Sequence, residues 1–260
     1  MFQYAMAKSL AIIKNDKFSI DVSSFETYKL HHYALDHFNI EKRIYKKPNR
    51  YFKKITNLFQ KSVFYKEKEF NFNPSIFNIA ERNVYLEGYF QSENYFVKHE
   101  KQIRKDFEII SPLKEQTQQT IAYIQKVNSV SLHIRRGDYL QHAMHNTDKS
   151  EYYKTAMSII ENKIENPVYF IFSDDIPWAK ENFKTNFDTI FIDFNDALTN
   201  FEDLKLMLSC QHNIIANSSF SWWGAWLNNY ENKIVIAPKL WFNDDSMNTI
   251  DIIPESWIKI

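Results

Sequence analysis

The sequence predicts an α/β fold of two domains, the second of which contains a parallel, Rossmann-like sheet. One observation is a series of short apolar runs rich in β-branched residues, which are typical of buried strands. The other is that helix-length amphipathic segments separate these runs, because strands that alternate with helices form parallel sheets. The predicted strands are 130–134, 168–172, 189–192, 213–216 and 234–236, and the predicted helices are 150–163, 177–183, 200–209 and 219–228.

The first half of the chain is less regular. Apolar residues at helical spacing predict a first helix over residues 2–13. Residues 27–71 are basic, aromatic and weakly periodic, so we expect only short helices there. We place the domain boundary before Ser129, which gives an N-terminal domain of residues 1–128 and a C-terminal domain of residues 129–260. The remaining predicted elements are strands at 18–22 and 83–89 and helices at 94–110 and 115–126.

Composition excludes several classes of protein. The 260 residues include 32 Lys and Arg and 32 Asp and Glu, and this zero net charge argues against nucleic acid as a partner. Cys210 is the single cysteine, which excludes an intramolecular disulfide, and its apolar neighbours predict a buried thiol at a helix end. No apolar run approaches the roughly 18 residues of a membrane span, and the N-terminus lacks the basic start of a secretory signal. We therefore expect a soluble, cytoplasmic protein.

The segment VSLHIRRGDYL has the most informative pattern. It predicts a buried strand that delivers Arg135 and Arg136 into a turn opened by Gly137. A guanidinium presents a fork of donors that matches phosphate oxygens, and the carboxyl ends of parallel strands are where such folds bind nucleotides. We therefore expect both arginines to bind phosphate. The alternative is a solvated surface loop, or an RGD tripeptide of the kind that adhesion receptors bind.

His133 and Asp138 flank the two arginines. His133 alternates with Arg135 along the predicted strand, so it can touch the same ligand, or it can be a core histidine with satisfied hydrogen bonds. Asp138 can act in the reaction, or it can orient one of the arginines. We count both as candidate catalytic residues, together with Arg135 and Arg136.

Three more stretches offer candidate nucleotide contacts. Ser173, Asp174 and Asp175 follow a predicted strand, and a carboxylate there can accept from a base or a ribose, although Asp175 can instead cap the next helix. Asp203, near a helix start, can contact the nucleotide or stabilise the helix dipole. The last stretch opens a helix, where free N–H groups bind phosphate and where serines also act as caps. Its residues are Asn217, Ser218, Ser219, Phe220 and Ser221.

Four stretches resemble the bacterial α1,2-fucosyltransferase family, in that family's order. HIRRGDY is similar to its HxRRGDY signature, and the others are MFQYAMAKSLA, YLEGYFQSENYF and DLKLMLSCQHNIIANSSFSWWGAWLN. The resemblance covers the whole chain and implies a GT-B-like fold of two Rossmann-like domains. It implies an inverting transferase that moves L-fucose from GDP-fucose to the 2-hydroxyl of a terminal galactose in a glycan.

The same resemblance implies which domain binds each substrate. The N-terminal domain is the acceptor side and the C-terminal domain binds GDP-fucose, with the phosphate contacts on Arg135 and Arg136 and the nucleotide loop on residues 217–221. Surface-polysaccharide assembly is the implied setting, with at most peripheral association at the cytoplasmic face of the inner membrane. The residues do not identify the base that deprotonates the acceptor.

Two features concern catalysis. No D-x-D triplet, the pattern with which many sugar-nucleotide enzymes hold a divalent metal, occurs in the sequence, so we expect neither a metal nor another cofactor. Members of the resembled family begin with a strand and a GGLGNQ loop before MFQYA, whereas this sequence opens at Met1. We therefore expect the first domain to lack its initial strand. The alternative function is a non-catalytic or weakly active remnant that binds GDP or a glycan.

Overall fold

A computed structural model describes residues 1–27, 32–45, 62–136, 150–244 and 246–260. The chain forms two compact units, residues 1–108 with 248–254 and residues 109–247 with 255–260. This division lies 20 residues before the boundary expected between 128 and 129, since the buried Glu202 accepts a hydrogen bond from the backbone of Lys114. Residues 248–254 return to the first unit, where Asp251 accepts from the backbone N–H of Phe72.

The first unit combines short helices with a parallel pair of strands in which Phe64 lies opposite Tyr85. The first helix buries Phe2, Met6 and Leu10, and it is capped at its C-terminal end by Asn15, which has a left-handed backbone. In the described part of this unit, the helices are α1 (Phe2–Lys14) and α2 (Glu100–Asp106), the strands are β1 (Ser62–Lys66) and β2 (Asn83–Glu87), and 3₁₀ turns occur at Ser23–Glu26, Leu35–His37, Pro74–Asn78, Glu93–Tyr95 and Val97–His99.

Predictions for three segments of the first unit are wrong in whole or in part. The expected strand at 18–22 is a single bridge between Ile20 and Ile44, because the Asp21 carboxylate accepts from the backbone of Ser23 and turns the chain into a 3₁₀ helix. The expected helix at 94–110 is two 3₁₀ turns followed by the short α2. In the weakly patterned stretch 27–71, residues 35–37 form a short 3₁₀ turn, but residues 62–66 form β1 where helices were expected. Residues 28–31 and 46–61 lie outside the described residues.

The second unit contains a six-stranded sheet in the order β5-β4-β3-β6-β7-β8, and every neighbouring pair is parallel. The strands are β3 (Asn128–Ile134), β4 (Pro167–Ser173), β5 (Thr189–Ile192), β6 (His212–Ile214), β7 (Val235–Ala237) and β8 (Ile258–Lys259). The helices are α3 (Glu115–Ile124), α4 (Ser150–Glu161), α5 (Ile176–Asn182), α6 (Asn200–Ser209) and α7 (Ser219–Leu227).

Both faces of this sheet are covered. Leu132 and Ile171 belong to one apolar cluster, whereas Phe170 and Leu206 belong to another. Strands buried on both faces are the hallmark of a parallel α/β sheet. The predicted α/β class, with parallel strands in both units, is confirmed. None of the helices formed by the described residues has the length and apolar character needed to cross a lipid bilayer.

Candidate functional site

The strand order points to the central strands of the six-stranded sheet. The chain enters at β3, moves outward through β4 and β5, and then crosses to the other side of β3 at β6. In open α/β sheets, ligands bind outside the carboxyl ends of the strands at such a reversal. The candidate site therefore lies where β3 gives way to Arg135 and where β6 leads into the start of α7.

Arg135 and Arg136 follow β3 and face carboxylates that follow β4. Arg135 Nη1 lies 3.2 Å from Asp174 Oδ2, and the Arg136 backbone N–H donates to Asp174 Oδ1 at 2.9 Å. Arg136 Nε lies 3.4 Å from Asp175 Oδ2, which is an ion pair without hydrogen-bond geometry. The arginine side chains stay 23% and 30% exposed, so a ligand can still reach them.

The SDD triplet binds groups of its own chain. The register places Ile134 beside Ser173, and the two residues that follow each strand meet as a result. Asp175 Oδ1 accepts from the backbone N–H of Trp178 at 3.1 Å and caps α5, which confirms the capping alternative. Ser173 Oγ accepts from the backbone N–H of Asp175 at 3.0 Å. Nucleotide contacts by this triplet remain a prediction.

Asp138 and Gly137 lie outside the described residues. From its place in the sequence, Asp138 can orient one of the arginines. In the structure, Asp174 and Asp175 make contacts of that kind. A carboxylate orients an arginine well because a charge-assisted contact restrains a side chain that is otherwise flexible.

His133 brings the end of β3 next to the start of α7. Its side chain is buried, and its ring lies 5.9 Å from the ring of Phe220 in an edge-on arrangement. The Tyr153 hydroxyl donates to the His133 carbonyl at 2.9 Å. His133 is thus close to one predicted donor residue, and its burial agrees with the core alternative; a direct role with the donor remains a prediction.

The predicted nucleotide loop 217–221 has both buried and accessible members. Ser218 caps α7 by accepting from the backbone N–H of Phe220, and Asn217 donates from Nδ2 to the Trp241 carbonyl at 2.8 Å. The hydroxyl of Ser221 is buried and donates to the Ser218 carbonyl. Ser219, the first helical residue, is exposed. The start of α7 therefore combines an exposed serine with the positive end of a helix dipole.

The rest of α7 belongs to the core. Trp222, Trp223 and Trp226 are all nearly inaccessible, and the rings of Trp222 and Trp226 stack at 6.2 Å. This burial places both rings on a core face of the helix and leaves them unavailable for stacking on a sugar. A Cβ at Gly224 would lie 2.9 Å from the Cβ of Met207, so glycine permits the close packing of α6 against α7.

Asp203 belongs to a separate polar cluster at the start of α6. Its Oδ1 accepts from Asn195 Nδ2 at 2.7 Å. Burial raises the pKa of Asp203 to about 6, although the hydrogen bond from Asn195 opposes the shift. The pair lies between the carboxyl end of β5 and α6.

Cys210, at the end of α6, is buried as predicted, and burial raises the pKa of its thiol.

The first unit presents a different surface at the carboxyl ends of β1 and β2. Glu67 Oε2 accepts from the backbone N–H groups of Tyr89 and Phe90 at 2.6 and 2.9 Å. Phe90 has a left-handed backbone and a buried ring, whereas the Tyr89 ring is 62% exposed and stacks on Phe70 at 5.7 Å. A Cβ at Gly88 would lie 2.5 Å from the Cβ of Glu67, so this turn requires glycine.

A model of glycosyl transferase family 11 matches residues 1–260. The chain belongs to this family. It is 34% identical to an alpha-1,2-colitosyltransferase of Escherichia coli, over 100% of this chain and 94% of that protein. It is 32% identical to the O-antigen biosynthesis glycosyltransferase WbnK of Escherichia coli, over 100% and 96%.

Two more distant likenesses accompany this family 11 assignment. The human galactoside alpha-(1,2)-fucosyltransferase 1 is 29% identical over 55% of this chain and 42% of that protein. The crystal structure of the fucosyltransferase NodZ from Bradyrhizobium aligns over 86% of this chain and 87% of that one, with a TM-score of 0.48 and 14% identity. The α/β architecture with parallel sheets agrees with the GT-B-like fold expected for the glycosyltransferase.

Three residues of this glycosyltransferase lie beside candidate groups although no sequence pattern marks them. Trp178 lies against Arg136, with the guanidinium carbon 4.1 Å from the ring centroid. Its signal was its position three residues after Asp175, in the first turn of a helix. Glu67 and Phe70 stand in the weakly patterned stretch 27–71, where no motif marked them.

Proposed function

We propose that this family 11 glycosyltransferase transfers L-fucose from GDP-fucose to the 2-hydroxyl of a terminal galactose in a glycan, with inversion and without a metal. The observation that carries the proposal is the arginine pair at the end of β3, beside the open start of α7. Guanidinium forks and helix N-termini are the groups that proteins use to bind phosphate. The surroundings of Arg135 and Arg136 therefore fit a nucleoside diphosphate.

The chemistry asks for positive groups at the leaving group. When the acceptor oxygen bonds to the anomeric carbon from the opposite face, the bond from that carbon to the β-phosphate oxygen breaks and GDP leaves. Negative charge then grows on the β-phosphate, and preorganised donors stabilise it most effectively where water is excluded. Arg135, Arg136 and the N–H groups at the start of α7 supply such donors.

The proposal dispenses with a metal because the arginines do the corresponding work. A divalent cation would need carboxylates that are open to it. Among the described residues, the carboxylates that contact the arginines are those of Asp174 and Asp175, and they already hold the arginines and the start of α5. The sequence also lacks the D-x-D pattern.

The names of the relatives support the proposed acceptor linkage and setting. Two of them are named for α1,2 transfer and one for O-antigen biosynthesis. We extend the α1,2 linkage to this chain and infer a role in bacterial surface-polysaccharide assembly in the cytoplasm, with at most peripheral membrane contact and no nucleic-acid partner. The first unit would serve as the acceptor side.

A second donor deserves a direct comparison. The relative that is 34% identical over the whole chain is named a colitosyltransferase, and colitose is L-fucose without its 3-hydroxyl. Both sugars would present the same GDP group to Arg135 and Arg136. The donor therefore has to be decided at the sugar, and a transfer assay with GDP-fucose and GDP-colitose side by side decides it.

Calorimetry tests the binding step of the proposal. We expect the protein to bind GDP and GDP-fucose with EDTA present, and Arg135→Ala to abolish binding. Transfer to a panel of β-galactosides should proceed at the same rate with EDTA as with Mg²⁺ or Mn²⁺. A folded protein that binds no GDP would refute the donor assignment. A rate that requires the divalent ion would refute metal independence alone, and transfer to acceptors without galactose would refute the acceptor assignment.

A further inference from the structure

Arg136 is held by two groups of its own unit. Its guanidinium carbon lies 4.1 Å from the centroid of the Trp178 ring, which is cation–π distance. Its Nε lies 3.4 Å from Asp175 Oδ2. We call Asp175, Trp178 and Arg136 the arginine clamp.

One carboxylate organises the whole clamp. Asp175 Oδ2 pairs with the guanidinium, while Oδ1 accepts from the backbone N–H of Trp178 and caps α5. The cap fixes the first turn of that helix, and Trp178 stands in this turn. The position of the ring and the position of the negative charge are thus coupled through a single side chain.

Core residues pack against the Trp178 ring. The ring of Phe183 meets it edge-on at 5.9 Å, and Trp178 packs against the apolar cluster that includes Ile171 and Tyr153. The ring is therefore anchored by packing and does not depend on Arg136 for its place. Arg136, by contrast, depends on the Trp178 ring for its position, because a free arginine side chain is flexible and a ring face restricts it.

From this geometry we infer that Trp178 is a positioning residue, which pre-orders Arg136 to receive the donor diphosphate. The inference rests on the proposed function, since the diphosphate is the ligand that Arg136 would meet. The Arg136 side chain keeps 30% of its surface exposed, so the clamp leaves part of the fork accessible. A side chain ordered before binding loses less entropy when the ligand arrives, and the affinity rises accordingly.

A matched pair of substitutions tests the ring. Trp178→Phe keeps an aromatic face, whereas Trp178→Leu keeps an apolar side chain without a ring. We expect Trp178→Leu to weaken GDP binding by about 3- to 30-fold, the range of a partly desolvated cation–π contact, and Trp178→Phe to stay within about threefold of the wild type. Thermal unfolding checks that each variant is folded; if the leucine variant is not, Trp178→Met replaces it, because methionine fills irregular gaps.

A double-mutant cycle with Arg136→Ala separates positioning from simple packing. If Trp178 acts through Arg136, then Trp178→Leu should weaken GDP binding by less than twofold in the Arg136→Ala background. An equal loss in both backgrounds overturns the inference, and so does wild-type affinity in Trp178→Leu or its methionine replacement. If the wild-type protein binds GDP and the variants give one of these contradicting results, the inference fails but the proposed function still holds. If the wild-type protein binds no GDP, the proposed function and the inference both fail.

Discussion

The carboxyl ends of the parallel strands carry different chemistry in the two units. Beyond β3 and β4, two arginines face two carboxylates at 3.2 and 3.4 Å. Beyond β1 and β2, the Glu67 carboxylate holds backbone amides, and the exposed ring of Tyr89 stacks on Phe70. Charged forks suit a diphosphate, and an aromatic face suits the C–H side of a sugar ring. Substitutions in the second unit should therefore affect the donor, and substitutions in the first should affect the acceptor.

Arg135→Ala should give the largest effect and is the strongest test of the charged edge. Loss of a donor that stabilises the leaving group should lower kcat/KM by about 10²- to 10³-fold. Arg135→Lys keeps the charge but loses the fork, so we expect it to recover only part of the rate. Steady-state kinetics with GDP-fucose measures both variants. A loss below tenfold for Arg135→Ala would contradict a role for Arg135 in stabilising the leaving group.

Asp203 lies near the carboxyl end of β5, the strand at one edge of the six-stranded sheet. Its pKa of about 6 means that its carboxylate is lost as the pH falls below that value. If the carboxylate accepts from the guanine base, affinity for GDP-fucose should fall by up to about tenfold between pH 7 and pH 5. GDP-fucose is the suitable probe because, unlike GDP, it has no phosphate that titrates in this range. Asp203→Asn should bind with an affinity that does not change over that interval; a slope that persists in this variant would assign it to another group.

The sequence could predict most of the sheet and very little of the contacts at its edge. β3 and β4 are recognisable because they are apolar runs buried on both faces, and such runs depend on local composition. β5 is also an apolar run, although only Ile192 of its four residues is fully buried. β1 was missed because its exposed and half-buried residues alternate within a basic, aromatic stretch. The segment 18–22 has a strand-like alternation, but the Ser23 backbone N–H donates to the Asp21 carboxylate, and this local hydrogen bond turns the chain.

The arginine–aspartate pairs show why the site was harder to predict than the fold. Their formation depends on the register that places Ile134 beside Ser173, which joins residues far apart in the chain. A motif reports which residue types are present, so Arg135 and Arg136 could be chosen as phosphate ligands. It does not report that Asp174 and Asp175 lie beside them, and the triplet was assigned to the nucleotide instead.

Tyr89→Leu tests the aromatic edge of the first unit. Loss of an exposed stacking ring should raise the KM for the galactoside acceptor by about 2- to 10-fold and leave GDP affinity unchanged. Tyr85→Leu is the matched control, because Tyr85 is also exposed but lies within β2. Kinetics with the acceptor varied at saturating donor makes the measurement. Equal KM values for the two variants and the wild type would remove Tyr89 from the acceptor side.

The smallest effect on activity should come from the opposite end of the sheet, where His212 begins β6. The buried Nδ1 of His212 accepts from the backbone N–H of Ile234 at 3.0 Å, and burial lowers its pKa. The unfolded chain then binds a proton more readily than the folded one, so this residue's contribution is present above about pH 6.5 and is lost as the pH falls below it. Asp203 acts in the opposite direction, since its raised pKa adds stability as the pH falls through about 6.

Comparing variants separates the two contributions. Urea unfolding at pH 7.5 and 5.5 should show a smaller acid-induced loss of stability in His212→Gln than in the wild type, and a larger one in Asp203→Asn. GDP affinity of His212→Gln should match the wild type at pH 7.5, because His212 lies at the amino end of β6, away from the strand ends where the arginines lie. An altered GDP affinity in a fully folded His212→Gln protein would show that the amino end of the sheet also influences donor binding. Donor binding would then not depend on the carboxyl ends of the strands alone.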